Sequence, residues 1–207
     1  MPTRKKRDRI GLEGMDADPV RQFGKWFREA KRSGTEHPES MALATATRDG
    51  RPSVRMMLLK GFDGEGFVFY TNYESDKARQ LEENPHTAMV FHWPLVGRQV
   101  RVEGKVRKLA RRNSARYFET RSRRSRLAAW ISPQSRIVPW QGFLEERFRT
   151  LSRKYRGKKE VPLPPFWGGY RLLPEAMEFW QSGPYRMHDR FRYEKTKAGW
   201  RILQLAP

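Results

Sequence analysis

The chain has 207 residues, of which 43 are Lys or Arg and 23 are Asp or Glu, so its formal net charge at pH 7 is +20. This length can bury one substantial core, and an aromatic content of 13% excludes a disordered basic tail. The absence of cysteine excludes disulfides and thiolate chemistry, and no apolar run is long enough to span a membrane. We therefore expect a folded, cytoplasmic protein without a membrane partner, whose charge serves nucleic acid, acidic small molecules or solubility alone.

Residues 1–17 are predicted to form a flexible basic arm, because they are rich in Lys and Arg and show no apolar periodicity. A helix should begin at Asp18-Pro19, since Asp is a good N-cap and Pro suits the first helical position. Gly34 should end this helix. Residues 18–207 contain no visible internal repeat, and we expect them to form a single domain.

After this helix, apolar residues alternate or form short runs bounded by turn signals, which is typical of strands. The predicted strands cover residues 41–47, 53–60, 67–72, 87–93, 99–106, 177–181, 190–195 and 200–205. Helices are predicted at 76–84 and at 142–155, and residues 113–130 are predicted to form a helix and a basic loop. Strands joined by short turns, with helices inserted between them, indicate an α+β fold that is mainly antiparallel β, a barrel with peripheral helices. The absence of a repeated β-α pattern and of a GxGxxG motif argues against a doubly wound dinucleotide-binding fold.

The first candidate site joins the end of a strand to the start of a helix. Arg55 and Lys60 flank an apolar run, and Ser75 and Lys77 lie where the helix over 76–84 should begin. Free N–H groups at a helix N-terminus, a hydroxyl and cations together form a ready anion site. The alternative is that these are ordinary strand-end charges with an N-cap serine.

The second candidate is a basic segment that contains Tyr117, Arg121 and Ser125. On a helix these residues are spaced four apart and share a face, so a guanidinium and a hydroxyl are available to a phosphate. The same pattern also suits a solvated basic face or a nucleic-acid patch, and counting positions does not separate these readings.

The third candidate is the segment with Arg186, His188 and Arg190, which would alternate onto one face if the chain is extended. Arginines on both sides of His188 favour its neutral imidazole. The alternative is an exposed strand face with a structural histidine. The remaining histidines show no metal-ligand spacing, and we predict no metal site.

Taken together, these segments resemble the pyridoxine/pyridoxamine 5′-phosphate oxidase family of FMN enzymes. The matching segments are 55–60, 69–72, 98–100, 117–125, 128–135, 162–171 and 179–191. Their order and spacing make the resemblance specific, although each motif alone would be weak. The resemblance implies an FMN-binding split β-barrel that works as a homodimer, with flavin sites built across the interface.

By position, the resemblance implies that FMN is held by Arg55, Met56, Met57, Leu58, Leu59, Lys60, Tyr70, Thr71, Lys77, Gln99, Gln134, Ser135, Trp180 and Arg190. It implies that the substrate phosphate is bound by Lys60, Tyr117, Arg121 and Ser125. Arg186 and His188 are the implied catalytic residues and would lie against the pyridine ring. There Arg186 would orient the substrate and stabilise charge, and His188 would hold the substrate.

The implied reaction is oxidation of pyridoxamine or pyridoxine 5′-phosphate to pyridoxal 5′-phosphate, by net hydride transfer from C4′ to N5 of FMN and reduction of O2 to H2O2. Asp76 departs from the family, which commonly has Arg there, so we expect weaker FMN retention or a substitute cation from Arg-rich loops. The arm lacks the tyrosine that family members often place over the site, so no lid residue is implied.

Three alternatives stay open at this point. Another FMN oxidase of the same barrel, such as the phenazine-pathway type, would act on a different ring, although it would not need Tyr117, Arg121 and Ser125 for a phosphate. A nucleic-acid-binding protein is suggested by the cations of residues 98–126, but no recognised motif accompanies them and no specific nucleic acid is expected. A flavin-storage or reductase protein is suggested by Asp76.

Overall fold

The computed structural model describes residues 9–157 and 160–207. Within these residues nine strands form one sheet, namely β1 (Ser40–Ala46), β2 (Pro52–Leu58), β3 (Gly61–Asp63), β4 (Gly66–Asn72), β5 (His86–Trp93), β6 (Arg98–Lys108), β7 (Trp167–Gln181), β8 (Asp189–Thr196) and β9 (Gly199–Gln204). The α-helices of the same residues are α1 (Pro19–Arg32), α2 (Asp76–Glu83), α3 (Arg111–Thr120), α4 (Arg123–Ile131) and α5 (Phe143–Lys154). All strand pairs are antiparallel, which confirms the predicted α+β class with mainly antiparallel sheet.

The sheet runs in the order β2-β1-β5-β6-β7-β4-β3, and β8 joins it through β7 and carries β9 at its outer edge. The first half of β7 pairs with β4 and its second half pairs with β8, so β7 belongs to two parts of the sheet. The register between β6 and β7 shifts at Gly104, where a Cβ would lie 2.0 Å from the carbonyl oxygen of Leu173. The extra residue is Glu175 of β7, and such a bulge bends the strand that carries it.

The N-terminal helix covers the open side of the sheet and supplies the centre of the core. Asp18 caps α1 by accepting hydrogen bonds from the N–H groups of Val20 and Arg21, as the sequence predicts. The buried ring of Phe23 lies 4.9 Å, centroid to centroid, from each of three rings, those of Phe62, Phe67 and Phe91. This aromatic cluster fixes α1 against β3, β4 and β5.

Several boundaries differ from the sequence prediction. The strand expected at 177–181 is the end of β7, which is fifteen residues long and tolerates Pro174 because the register shift to β6 occurs there. The region 113–130 lies within two helices and not in the expected helix and basic loop, because Arg121 is extended and Ser122 caps the start of α4. The short strand β3 was not predicted.

Part of the predicted flexible arm packs against the domain. Arg9 forms an ion pair with the buried carboxylate of Asp189 at 3.1 Å, and the N–H of Ile10 donates to the same carboxylate at 3.1 Å. Met15 is buried in the core. Residues 9–17 therefore differ from the expected mobile segment, whereas the remainder of the predicted arm, residues 1–8, lies outside the described residues.

Candidate active site

A cavity of about 370 Å³ lies between β2, β4, α3 and α4. Its lining includes nine of the residues that the sequence singles out: Met56, Met57, Leu58, Lys60, Tyr70, Thr71, Tyr117, Arg121 and Gln134. These residues come from four separate segments of the chain. The backbone N–H of Lys60 donates to the carbonyl oxygen of Val68 at 2.8 Å, and this bond sets the end of β2 beside β4.

Lys77 is the most enclosed cation next to this cavity. Its side chain is only 7% exposed, and Nζ donates to Gln134 Oε1 at 2.8 Å, to Thr71 Oγ1 at 3.2 Å and to Ser75 Oγ at 3.3 Å. All three partners are neutral, so the ammonium charge is not neutralised by them. Burial, followed by repulsion from Arg55, lowers the pKa of Lys77 to about 8.

Arg55 points from β2 towards β1 and α2 instead of lining the cavity. Its guanidinium donates to Thr45 Oγ1 and lies within hydrogen-bonding distance of the carbonyl oxygen of Leu43 (3.4 Å) and of Gln80 Oε1 (3.5 Å). Burial lowers its pKa, while the charge of Asp76 raises it. Arg55 therefore contributes positive charge next to Lys77 from behind the cavity wall.

Asp76, which stands where the family commonly has Arg, is paired with Arg79 one turn further along α2. The guanidinium of Arg79 also donates to the carbonyl oxygen of Glu74 at 2.7 Å. The Asp76 N–H donates to Ser135 Oγ at 3.3 Å, and Ser135 has a left-handed backbone with φ of 68°. The carboxylate of Asp76 thus has a cation of the same helix beside it.

An aromatic stack forms one wall of the cavity. The rings of Tyr70 and Tyr117 are 4.0 Å apart and nearly parallel, and Trp167 stacks on Tyr70 at 5.3 Å. The guanidinium of Arg121 lies 4.8 Å from the Trp167 ring, and its Nη1 atom is buried without a hydrogen-bond partner among the described residues. Trp167 has no site role in the sequence prediction, although it lies within the matching segment 162–171.

Ser125 and Leu59 are held differently from the other predicted residues. Ser125 lies in the first turn of α4, where its N–H and Oγ are hydrogen-bonded to the hydroxyl of Ser122 at 3.2 and 2.9 Å.

Tyr117 and Arg121 do not share one helix face as predicted, because α3 ends between them. Leu59 is buried in the hydrophobic core, so its side chain does not reach the cavity.

A second group of predicted residues forms a row across three strands. Gln99 on β6 pairs with Trp180 on β7, and Trp180 pairs with Arg190 on β8. Residues directly opposite one another share a face of the sheet, so these three side chains point the same way. The ring of His188 lies 4.6 Å from that of Trp180, and its Nδ1 accepts a hydrogen bond from the N–H of Gly183 at 3.2 Å.

Arg186 is not on a strand, which corrects the expected alternation of Arg186, His188 and Arg190. Pro184–Arg186 is a single turn of 3-10 helix, and both Tyr185 (φ 52°) and Arg186 (φ 64°) have left-handed backbones. Such conformations are rare for residues other than glycine and are concentrated at functional sites. The turn leaves the side chain of Arg186 exposed above the row.

The two groups lie at opposite ends of β7. Trp167 belongs to the cavity and Trp180 to the row, and the thirteen residue steps from one to the other span about 40 Å along the strand at roughly 3.3 Å per step. Within residues 9–157 and 160–207, no hydrogen bond, ion pair or ring contact joins the two groups. The predicted site residues that the structure describes therefore fall into two separate groups.

Two family profiles match the chain. Residues 27–154 match "Pyridoxamine 5′-phosphate oxidase", and residues 167–207 match "Pyridoxine 5′-phosphate oxidase C-terminal dimerisation region". The pyridoxine/pyridoxamine 5′-phosphate oxidase of Rubrobacter xylanophilus is 51% identical over 99% of this chain and 94% of its own length. The enzyme of the same name from Rippkaea orientalis is 47% identical over 97% of this chain and 95% of its own.

Among solved structures, PhzG from Burkholderia lata in complex with tetrahydrophenazine-1-carboxylic acid matches with a TM-score of 0.91 and 29% identity, over 97% of this chain and 98% of that one. A pyridoxamine 5′-phosphate oxidase-related, FMN-binding protein from Nostoc punctiforme matches with a TM-score of 0.72 and 18% identity, over 91% and 97%, and supports the fold. The fold places this protein among the split-barrel proteins, as predicted from the sequence. The chain belongs to the pyridoxine/pyridoxamine 5′-phosphate oxidase family, which confirms the resemblance read from the sequence.

Proposed function

We propose that this protein is an FMN-dependent oxidase that converts pyridoxamine 5′-phosphate and pyridoxine 5′-phosphate to pyridoxal 5′-phosphate, with reduction of O2 to H2O2. For the amine substrate, the imine product takes up water and releases ammonia. The observation that carries this proposal is the cavity whose cations, Lys60 and Arg121, have no carboxylate partner within 4.0 Å among the described residues. Family members that bear this activity in their names are 47–51% identical over nearly the whole chain.

The residues present fit FMN on one side. Lys77 offers a buried ammonium surrounded by neutral oxygens, and Arg55 adds positive charge behind it. Charge-assisted hydrogen bonds of this kind favour a phosphate monoester. Met56, Met57, Leu58 and the parallel rings of Tyr70 and Tyr117 supply an apolar wall that suits a planar ring system.

The substrate phosphate would be bound by Lys60, Tyr117, Arg121 and Ser125. The buried Nη1 of Arg121 has no hydrogen-bond partner among the described residues, so an incoming phosphate oxygen can satisfy it. Arg121 is pre-oriented by the Trp167 ring, which lowers the entropy lost when a ligand binds. Ser125 would need to exchange its bond with Ser122 for one with the ligand.

A homodimer would complete each site by adding the Gln99, Trp180 and Arg190 row of one copy to the cavity of the other. The edge strand β2 supports this proposal, because Val54 and Met56 are 70% and 65% exposed on its outer face. Exposed apolar side chains on an unpaired edge are typical of an interface. The match of residues 167–207 to a dimerisation region supports the same assembly.

Arg186 and His188 are the proposed catalytic residues. When bound, FMN would supply the redox chemistry, a two-electron oxidation of the substrate at C4′ coupled to the reduction of O2. The strained turn holds Arg186 outward, where its guanidinium orients the substrate and stabilises negative charge. The ring of Trp180 and the N–H of Gly183, which donates to Nδ1, fix the orientation of the His188 ring. Its Nε2 atom is then available to bind the substrate.

The test is turnover by protein loaded with FMN. We expect pyridoxamine 5′-phosphate to be converted to pyridoxal 5′-phosphate with O2 uptake, and unphosphorylated pyridoxine to be a much poorer substrate. The proposal is wrong if folded, FMN-loaded protein forms no pyridoxal 5′-phosphate. Equal turnover with and without the phosphate would favour an oxidase of the phenazine-pathway type, to which the fold is also close.

A further inference from the structure

The guanidinium of Arg190 is held by two different parts of the chain. Nε donates to Glu178 Oε1 at 2.9 Å, Nη2 lies 2.9 Å from the same oxygen, and Nη1 donates to the carbonyl oxygen of Ala206 at 2.8 Å. The Leu205 N–H donates to the carbonyl oxygen of Arg190 at 2.9 Å. The last residues of the chain therefore hold both the backbone and the side chain of Arg190.

Glu178 is 5% exposed and lies between two guanidinium groups. Its Oε2 atom lies 3.3 Å from Arg101 Nη2, but it makes no hydrogen bond with any of the described residues. Across β7 and β8, Glu178 pairs directly with Arg192, so it reaches Arg190 along the diagonal. A buried ion pair adds little net stability compared with apolar side chains of the same shape. Stability alone therefore does not account for this carboxylate.

The arrangement leaves Arg190 able to bind a ligand. Each Nη atom has a second N–H that its contacts with Glu178 and Ala206 do not use. A free arginine side chain loses much rotamer entropy when it binds, and a side chain that is already fixed loses less. Glu178 and the end of the chain thus hold Arg190 in the row with Gln99 and Trp180.

We propose that Glu178 and the C-terminal segment 205–206 are positioning elements for Arg190, which they hold in the geometry that binds the flavin. This inference rests on the proposed function, in which Arg190 contacts FMN. It assigns a role in cofactor binding to a carboxylate and to a chain terminus that would not themselves touch the cofactor.

The experiment is titration of the apoprotein with FMN, followed by quenching of flavin fluorescence, which requires no turnover. We expect Glu178→Gln to raise the Kd for FMN about tenfold, since the neutral amide holds the guanidinium less firmly. Glu103→Gln is the matched control, because Glu103 pairs with Arg101 and Arg192 but does not contact Arg190. Its Kd should stay within about twofold of the parent value.

A double-mutant cycle separates positioning from a merely structural role. In an Arg190→Met background, Glu178→Gln should change the Kd by less than about twofold. An unchanged or lower Kd in Glu178→Gln, or the same tenfold loss in both backgrounds, would overturn the proposal.

A second variant guards against loss of folding. Truncation after Gln204 removes both the Leu205 N–H and the Ala206 carbonyl and leaves the Glu178–Arg101 pair in place, so it should also raise the Kd. If Glu178→Gln does not fold, an unchanged Kd in the truncated protein overturns the proposal. A folded parent protein that fails to bind FMN would contradict the proposed function itself, so the two failures are distinct.

Discussion

Two regions of the molecule are rich in Arg and Lys, the cavity and the basic stretch 98–112, but their cations have different partners. In the cavity region, Lys77 contacts only neutral oxygens and Arg121 lies over the ring of Trp167. Most of the cations of β6 instead face carboxylates, such as Arg101 near Glu178 at 3.3 Å. The difference between the proposed anion site and the structural cations is therefore whether a carboxylate lies beside each cation, and not the density of positive charge.

The basic stretch 98–112 also contains cations that join different parts of the fold. Arg111 donates to the carbonyl oxygens of Leu163, Pro164 and Trp167 at 2.8–3.0 Å and ties the segment before β7 to α3. Arg107 pairs with Glu65 at 3.2 Å, and Lys108 pairs with Glu82. Part of the charge that suggested nucleic acid therefore serves to join loops and strands.

The largest effect is expected when a cation is removed from the cavity, which tests the difference between the two regions. Arg121→Met should lower kcat/KM for pyridoxamine 5′-phosphate by roughly 100- to 1000-fold, because two charge-assisted bonds to phosphate are worth about 3–4 kcal/mol. Steady-state kinetics provide the measurement. Arg112→Met is the matched control within the basic stretch and should stay within about twofold. Equal losses in both variants would contradict the distinction between the regions.

The second prediction concerns stability in the basic stretch. Arg111→Met should lower the free energy of unfolding by about 2 kcal/mol, since several carbonyl groups lose a charged donor. For a chain of this size that corresponds to a melting temperature roughly 4–8 °C lower, measured by thermal denaturation. An unchanged melting temperature would show that Arg111 is not a structural cation.

The third prediction uses the lowered pKa of Lys77, which is about 8 in the free protein. The ammonium is charged below that pH and loses its proton as pH rises through it, so anion affinity falls on the alkaline side. We expect the Kd for FMN to be nearly constant below pH 7, to be about twofold higher at pH 8 and then to rise by up to about tenfold per pH unit. Fluorescence titration at each pH provides the measurement. Lys77→Arg, whose charge does not titrate in this range, should flatten the profile.

The smallest effect tests the departure at Asp76. Asp76→Asn removes a negative charge that acts on both Arg55 and Lys77, so the Kd for FMN should fall about threefold. Titration at low ionic strength makes the change easiest to measure. A rise in Kd would mean that the Asp76–Arg79 pair helps to hold the start of α2.

Local features of the fold were predictable because their causes lie within a few residues. The Asp18-Pro19 start of α1 and the antiparallel strands follow from capping and periodicity. The fifteen-residue β7 was not, because Pro174 argues against a continuous strand unless that strand carries a bulge, as β7 does at Glu175 opposite Gly104. The second helix, α4, was not predicted, because its first turn reads as a basic loop and depends on the cap by Ser122.

Most residues of the candidate site were predicted from the family resemblance. The separation of these residues into two groups was also expected only from that resemblance, which implies sites built across a dimer interface. The order of the motifs predicted Lys60, Tyr70, Tyr117 and Gln134 as ligand-binding residues, and in the structure these four line one cavity. The anchoring of Arg190 by Glu178 and Ala206 depends on strand register and on the return of the chain end, which local pattern does not encode.

The +20 charge, the α+β class, the capped first helix and the family are determined by the amino-acid sequence, because composition, periodicity and motif order are properties of the chain itself. Only the tertiary structure decides which cations are neutralised. Arg101 and Arg121 are chemically identical, yet one faces Glu178 and the other an aromatic ring. The charge environment of a residue depends on segments distant in sequence, and only folding brings those segments together.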